Sequence, residues 1–244
     1  MSNSYFRFKQ FTIHQDRCAM KVTTDACLFG AWVAGEDKSE KLNTKNILDI
    51  GTGTGLLSLM YVQKKSFALI DAIEIDEGAY EQAKENIAAS PFAERIRVIN
   101  DDVKTCSFTK KYDEIISNPP FYEKEIRSAN EKKNMAHHQE GLLLEDLLDV
   151  IKQNLSQAGV FYLLLPFKRN EEIRKILLKQ TNFVSKIVFV RQSIKHNYFR
   201  LMIKGKLKQE TDTETMIEEI SIRNDSQQYT DEFKELLKDY YLNF

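Results

Sequence analysis

The chain has 244 residues, 42% apolar and 29% charged, the make-up of a soluble globular protein long enough to bury a substantial core. Its formal net charge of −1 excludes a protein held to nucleic acid by its overall field, so any such surface must be a local patch. Three cysteines, Cys18, Cys27 and Cys106, lack metal or redox spacing and read as buried thiols of a reducing compartment.

Met1 to Tyr5 lacks the basic start and apolar core of a signal peptide, and apolar runs such as Val160 to Leu165 are too short to span a bilayer. Both observations predict a cytoplasmic protein. Residues 5 to 32 mix aromatics with Lys9, Arg17 and Lys21 without a clean period. Such a segment packs over a scaffold as a lid, or simply covers apolar surface.

Asn46 to Ile50 reads as a short strand running into Gly51-Thr52-Gly53-Thr54-Gly55, with a helix from Leu56 to Val62. Strand, glycine turn and helix N-terminus together cradle a nucleotide-like ligand. The third glycine falls one residue early for a dinucleotide fingerprint, and Leu56 stands where a small residue is needed. No Gly-Lys-Ser/Thr follows, which excludes a P-loop. The remaining fit is a loop that lets backbone approach S-adenosylmethionine.

A second strand, Ala68 to Ile75, ends in Glu74-Ile75-Asp76. Glu74 lies about twenty residues beyond the glycines, where a strand-end acid accepts both ribose hydroxyls. Asp76 reads better as the cap of the next helix, Glu77 to Ala89. A third strand, Arg95 to Ile99, leads to Asn100-Asp101-Asp102. Asp102 could accept from an adenine amine; the alternative is an Asx turn.

The fourth strand, Tyr112 to Ser117, runs into Asn118-Pro119-Pro120-Phe121. Residues before proline are held extended, and proline has no N–H. The stretch therefore offers carbonyl oxygens and the Asn118 amide oxygen, a wall of acceptors beside an aromatic ring. That wall suits a flat substrate with an exocyclic amine; the alternative is a strand stopped at a surface turn. Alternating strands and helices predict a parallel sheet with ligands at the strands' carboxyl ends. Asp49, Gly51, Glu74, Asp102 and Asn118 all fall at such ends.

Residues 122 to 138 are charged and read as a substrate loop or a solvated one, with Arg127, Lys132 and Lys133 among its cations. His137-His138 has no partners at ligand spacing, so no metal is expected. Leu142 to Leu155 reads as a helix, Gly159 to Leu165 as a strand and Glu171 to Gln180 as a helix. Phe183 to Ile203 reads as two strands around Gln192 to Asn197. From Lys186 to Gln209 the chain carries Lys186, Arg191, Lys195, Arg200, Lys204, Lys206 and Lys208 and no acid. This is a footprint for phosphates, or an edge hairpin guarded by lysines. Glu219 to Arg223 adds a strand and Asp231 to Tyr241 a closing helix. No repeat or linker divides residues 1–244, so one domain is expected, with 1–32 as a covering segment.

DIGTGTG, IEIDE and NPPF in this order resemble a class I S-adenosylmethionine-dependent methyltransferase acting on an exocyclic or amide nitrogen. The N-terminal FKQFTIHQDRCAMKVTTDACLFGAW and the terminal IRNDSQQYTDEFKELLKDYYLNF are similar to a narrower group. That group is the bacterial tRNA1(Val) (adenine-37-N(6))-methyltransferases, which modify the adenine 3′ of the anticodon. The resemblance implies a Rossmann-like α/β fold: a seven-stranded sheet, mostly parallel with an antiparallel edge hairpin, and helices on both faces. It implies Asn118, Pro119 and Phe121 at the target base. It implies Lys21, Thr24, Asp25, Asp49, Gly51, Gly53, Gly55, Glu74, Ile75, Asp102 and Asn118 around the cofactor. Arg17, Arg127, Lys132, Lys133, Arg191, Lys195 and Arg200 are the expected tRNA contacts, although Arg191 to Arg200 departs from the family's pattern. A monomer needing neither metal nor membrane is expected. The rival functions are methylation of another base in rRNA or DNA, methylation of a protein glutamine amide, and non-catalytic RNA binding.

Overall fold

The computed structural model describes residues 3–36, 45–119, 142–179, 182–209 and 214–244. Two short strands come first, β1 (Tyr5–Arg7) and β2 (Thr12–His14), paired antiparallel with Phe6 opposite Ile13. Helix α1 (Thr24–Glu36) follows; then β3 (Lys45–Ile50), α2 (Leu56–Lys64), β4 (Ala68–Glu74), α3 (Glu77–Ala88), β5 (Ile96–Asn100) and β6 (Tyr112–Ser117). The second half adds α4 (Leu144–Asn154), β7 (Leu155–Pro166), α5 (Asn170–Lys179), β8 (Asn182–Ser193), β9 (Tyr198–Leu207), β10 (Met216–Arg223) and α6 (Asp231–Leu237).

Strands β3 to β10 form one sheet in the order β10-β8-β9-β7-β6-β3-β4-β5. The run from β7 to β5 is parallel, β9 is antiparallel to both β7 and β8, and β10 returns parallel to β8. The sheet therefore has eight strands, as many as the strand segments read along the chain and one more than the seven the resemblance implies. The last of them is longer than read: Met216–Glu219 extends it along Lys186–Phe189. Those four residues are exposed, so no buried-face alternation marked them in the sequence.

Side chains alternate between the two faces, because successive strand residues point opposite ways. Ile47, Ile70, Ile116, Tyr162 and Met202 pack with α1, α2, α3 and α6, together with Phe8 and Ile13 of the small hairpin. Leu48, Ile115, Phe161, Leu163 and Ile203 pack with α4 and α5. Gly205 stands opposite Phe161 in the β7–β9 register. A methyl group there would come within 2.2 Å of the Phe161 ring, so this strand glycine makes room for an aromatic.

Helix α1 was not legible as a helix. Its residues from Asp25 to Ala34 are all buried, so it has no polar face and hence no helical period to read. Trp32 meets Tyr162 edge-on, with ring centroids 5.6 Å apart. The chain ends also meet: Lys9 donates its backbone N–H to the Tyr240 carbonyl at 2.8 Å. Phe6 and Phe8 lie beside Tyr241. Of the three thiols, Cys18 and Cys27 are buried and Cys106 is only half-buried.

Candidate active site

The glycine turn after β3 is built from backbone that only glycine adopts cheaply. Gly51, Gly53 and Gly55 have φ of 68°, 57° and 81°. Gly51 and Thr52 donate to the Ile73 carbonyl at 2.9 and 3.2 Å, tying the turn to β4. A Cβ built on Gly51 or Gly53 would meet nothing within 4 Å, so this backbone faces open space. Gly55 is different in kind. Its Cβ would press on Ile87 at 3.2 Å, so here the glycine lets α2 pack against α3.

Beneath the turn lies Asp49, fully buried. Its Oδ2 accepts from the hydroxyls of Thr52 and Ser58, each at 2.7 Å. Oδ1 has no hydrogen-bond partner among the described residues. Burial pushes the carboxyl up to about 6 against the pull of those two hydroxyls, and the Glu74 charge adds to the rise.

Glu74 stands at the end of β4, and its carboxylate organises the loop around it. Oε2 accepts from Gly53 N–H at 2.9 Å; Oε1 accepts from Ile75 N–H at 2.9 Å and Asp76 N–H at 3.0 Å. A carboxylate has about four acceptor sites, so one remains for a ligand hydroxyl. The expected pair of ribose contacts is therefore partly taken by backbone. Ile75 beside it is 67% exposed, an apolar face left open at the site. Asp76 caps α3 by accepting from Ala79 N–H at 2.8 Å, as read from the sequence. Asp102 makes the Asx turn that was its alternative: Oδ1 accepts from Lys104 N–H at 2.9 Å, while the residue stays half-buried.

Asn118 is half-buried and Pro119 buried at the end of β6. Ser117 pairs with Ile50 across β6 and β3, and its hydroxyl donates to the Ile50 carbonyl at 2.8 Å. The acceptor wall thus begins one residue from a contact with the strand that carries the glycine turn. Phe121 lies outside the described residues, as do Arg127, Lys132 and Lys133.

The N-terminal segment reaches the same edge. Gly78 packs on the Arg17 carbonyl, and the Glu74 and Asp76 charges add to burial in raising the Cys18 thiol to about 11. Asn86, unread in the sequence, is the clamp. Its Nδ2 donates to Thr54 O at 2.9 Å and His14 O at 2.8 Å, while Oδ1 accepts from His14 N–H. A polar residue on the buried side of α3 was its one signal. Thr24 is half-buried at the start of α1, and Lys21 is exposed just before it.

Several expected tRNA cations are engaged within the protein, so the strip that is acid-free along the chain is not acid-free in space. Arg17 pairs with Glu85. Arg200 donates Nε–H to Asp25 Oδ2 at 2.6 Å, so a supposed phosphate contact and a supposed cofactor contact hold each other. Glu36 takes Lys186 and Lys204, each at 2.9 Å, and its carboxyl lies below its ordinary value because these lysines outweigh its burial. Arg191 faces Glu219 at 3.4 Å and Lys195 faces Asp225 at 3.5 Å. The acids come from α1, from β10 and from the turn after it. Sequence distance hid them.

The fold, the glycine turn and the strand-end acid define a small methyltransferase domain, and the family model described as methyltransferase small domain matches residues 37–175. The crystal structure of a predicted O-methyltransferase from Agrobacterium tumefaciens superposes with a TM-score of 0.65 at 15% identity, over 88% of this chain and 96% of that one. Curated tRNA1(Val) (adenine(37)-N6)-methyltransferases resemble the chain along its whole length. That of Cytophaga hutchinsonii is 42% identical over all of both chains, and that of Dyadobacter fermentans 40% over 99% of both. The chain belongs to this family of tRNA adenine-N6 methyltransferases.

Proposed function

We propose that the protein transfers a methyl group from S-adenosylmethionine to the N6 amine of adenine 37 in tRNA1(Val). The observation that carries this reading is the seating of Asn118-Pro119 at the end of β6, hydrogen-bonded through Ser117 to the strand that holds the glycine turn. Full-length identity of 35–42% to relatives named for this activity supports it.

The cofactor fits the residues present. The open backbone of Gly51 and Gly53 admits its close approach, and the spare acceptor site of Glu74 takes a ribose hydroxyl. Ile75 offers an apolar face to the adenine. When bound, the cofactor supplies an electrophilic methyl group on a sulfonium. The adenine amine is a poor nucleophile because its lone pair is delocalised into the ring. Asn118 Oδ1 and the Pro119 carbonyl accept its two N–H bonds, which favours a pyramidal nitrogen and stabilises the positive charge that develops there. Positioning supplies much of the remainder. An unpaired loop purine leaves its neighbours cheaply to reach these acceptors. The amine then loses its extra proton to solvent. The same reading puts the enzyme in the cytoplasm with its tRNA; among the described residues no helix is long and apolar enough to cross a membrane.

The test is purified protein, labelled S-adenosylmethionine and unmodified tRNA1(Val), followed by nucleoside mass spectrometry. The expected product is N6-methyladenosine at position 37. Label in another nucleoside, or in protein glutamine, would overturn the assignment.

A further inference from the structure

The turn between β8 and β9 shapes a pocket of about 680 Å³ that the chemistry above does not use. Phe167, Tyr198 and Phe199 line it with aromatic surface, and Lys168, Arg191 and Lys195 line it with positive charge. Among the described residues no carboxylate lines it, although Glu219 faces Arg191 at 3.4 Å and Asp225 faces Lys195 at 3.5 Å beside it. All three rings are half-buried, so each keeps part of its surface for a ligand. Phe167 and Tyr198 lie 5.3 Å apart between centroids, and the Arg191 guanidinium sits 5.5 Å from the Tyr198 ring. Ser193 holds the turn in shape: fully buried, it pairs its hydroxyl with His196 Nδ1 at 2.7 Å, and its carbonyl accepts from His196 N–H at 2.9 Å.

The place of this pocket in the sheet gives it meaning. Strand β7 runs parallel to β6, and β9 returns antiparallel from the end of β7, with Pro166 opposite Arg200. The β8–β9 turn therefore lies on the same carboxyl edge as Asn118. Two inter-strand steps and about four residues of rise separate Tyr198 from that level, roughly 16 Å in all. A ligand that fills both places must be long, flat-ringed at intervals and negatively charged between. Single-stranded RNA is such a ligand.

We propose that this pocket is a second nucleobase site, taking one unpaired base of the same RNA loop while Asn118 and Pro119 hold the target adenine. The proposal rests on the RNA reading given above. The base stacks against the Tyr198–Phe167 cluster, and Lys195, 67% exposed at its side chain and held only by an exposed pair with Asp225 at 3.5 Å, exchanges that partner for a flanking phosphate. Holding a neighbour of the target outside the loop's own stack favours release of the target base. It also gives the enzyme a means of reading loop shape without base-edge contacts.

Tyr198→Leu removes the π face at similar bulk, and Tyr198→Phe keeps it. Binding of an anticodon stem-loop RNA, with loop nucleotides replaced in turn by abasic residues, reads out the site. Wild type and Tyr198→Phe should lose about 5- to 150-fold in affinity at one abasic position besides the target, the range for one stacked base. Tyr198→Leu should bind the intact RNA weaker by that factor, show no further loss at that position, and keep wild-type affinity for S-adenosylhomocysteine. If wild type neither binds nor methylates the RNA, this proposal and the reading beneath it both fall. If wild type does both but Tyr198→Leu responds to every abasic position as wild type does, the pocket proposal alone falls.

Discussion

Arg200 on β9 donates to Asp25 at the start of α1 at 2.6 Å, and this contact joins the antiparallel hairpin to the start of the helix whose other end, Glu36, takes Lys186 and Lys204. The Asp25 side chain is 11% exposed and that of Arg200 36%, so the pair is only partly screened. Removing either partner leaves a charge without its mate, which costs more than the pair itself contributes.

Arg200→Gln should therefore destabilise the protein by about 1–3 kcal/mol, less than for a fully buried pair. Thermal unfolding would show this as a fall of a few degrees in Tm. The salt dependence of tRNA binding should stay as in wild type, because the guanidinium is already occupied. A slope shallower by about one unit would make Arg200 a phosphate contact after all.

Asn118→Ala removes one amine acceptor and touches neither the glycine turn nor the hairpin. Both ligands should still bind, while methyl transfer slows by about a hundredfold or more, as for loss of one preorganised electrostatic contact. Single-turnover rates with both ligands saturating decide it. A wild-type rate there would reduce the motif to a strand terminator.

Glu74→Ala unties three backbone N–H groups as well as removing a ribose acceptor. Affinity for S-adenosylmethionine should fall by roughly 1.5–3 kcal/mol, the scale of charge-assisted hydrogen bonds. Calorimetry on the folded variant measures it. An unchanged affinity would restrict Glu74 to shaping the loop.

Asp49 links the site to pH. Its carboxyl rises from an ordinary value of 3.8 to about 6 through burial, so the folded protein holds this proton more tightly than the unfolded chain. The stability it contributes is complete below the unfolded value and is lost as pH rises through about 6. Between about pH 4 and pH 7, the cofactor-free wild type should lose up to roughly 3 kcal/mol relative to Asp49→Asn in urea unfolding. Parallel curves for the two proteins would show that Asp49 titrates as in the unfolded chain.

The parts of this protein that were legible in its sequence are those whose physics is local. Three glycines at alternate positions carry left-handed backbone, and nothing else in the chain could have made that turn. Asp76 caps the helix that begins beside it, and two prolines strip the donors from their own stretch. Short apolar runs, buried on both faces, marked the strands of the sheet's centre, and their alternation with helices implied parallel pairing. What depended on distant neighbours was hidden. The helix at Thr24–Glu36 is buried all round and so shows no period. The last strand is longer than its buried half, and its exposed half is held by pairing with β8 and by the ion pairs of Glu218 with Lys186 and Glu219 with Arg191. Above all, the basic strip is free of acids along the chain but not in space. Glu36, Glu219, Asp225 and Asp25 are brought to it by α1, β10 and the turn after β10. Charge is a property of a place, and only the folded sheet determines which charges share one. By the same reasoning Asn86, an ordinary helix residue in the sequence, becomes the clamp on the glycine turn once α3 is laid against β2.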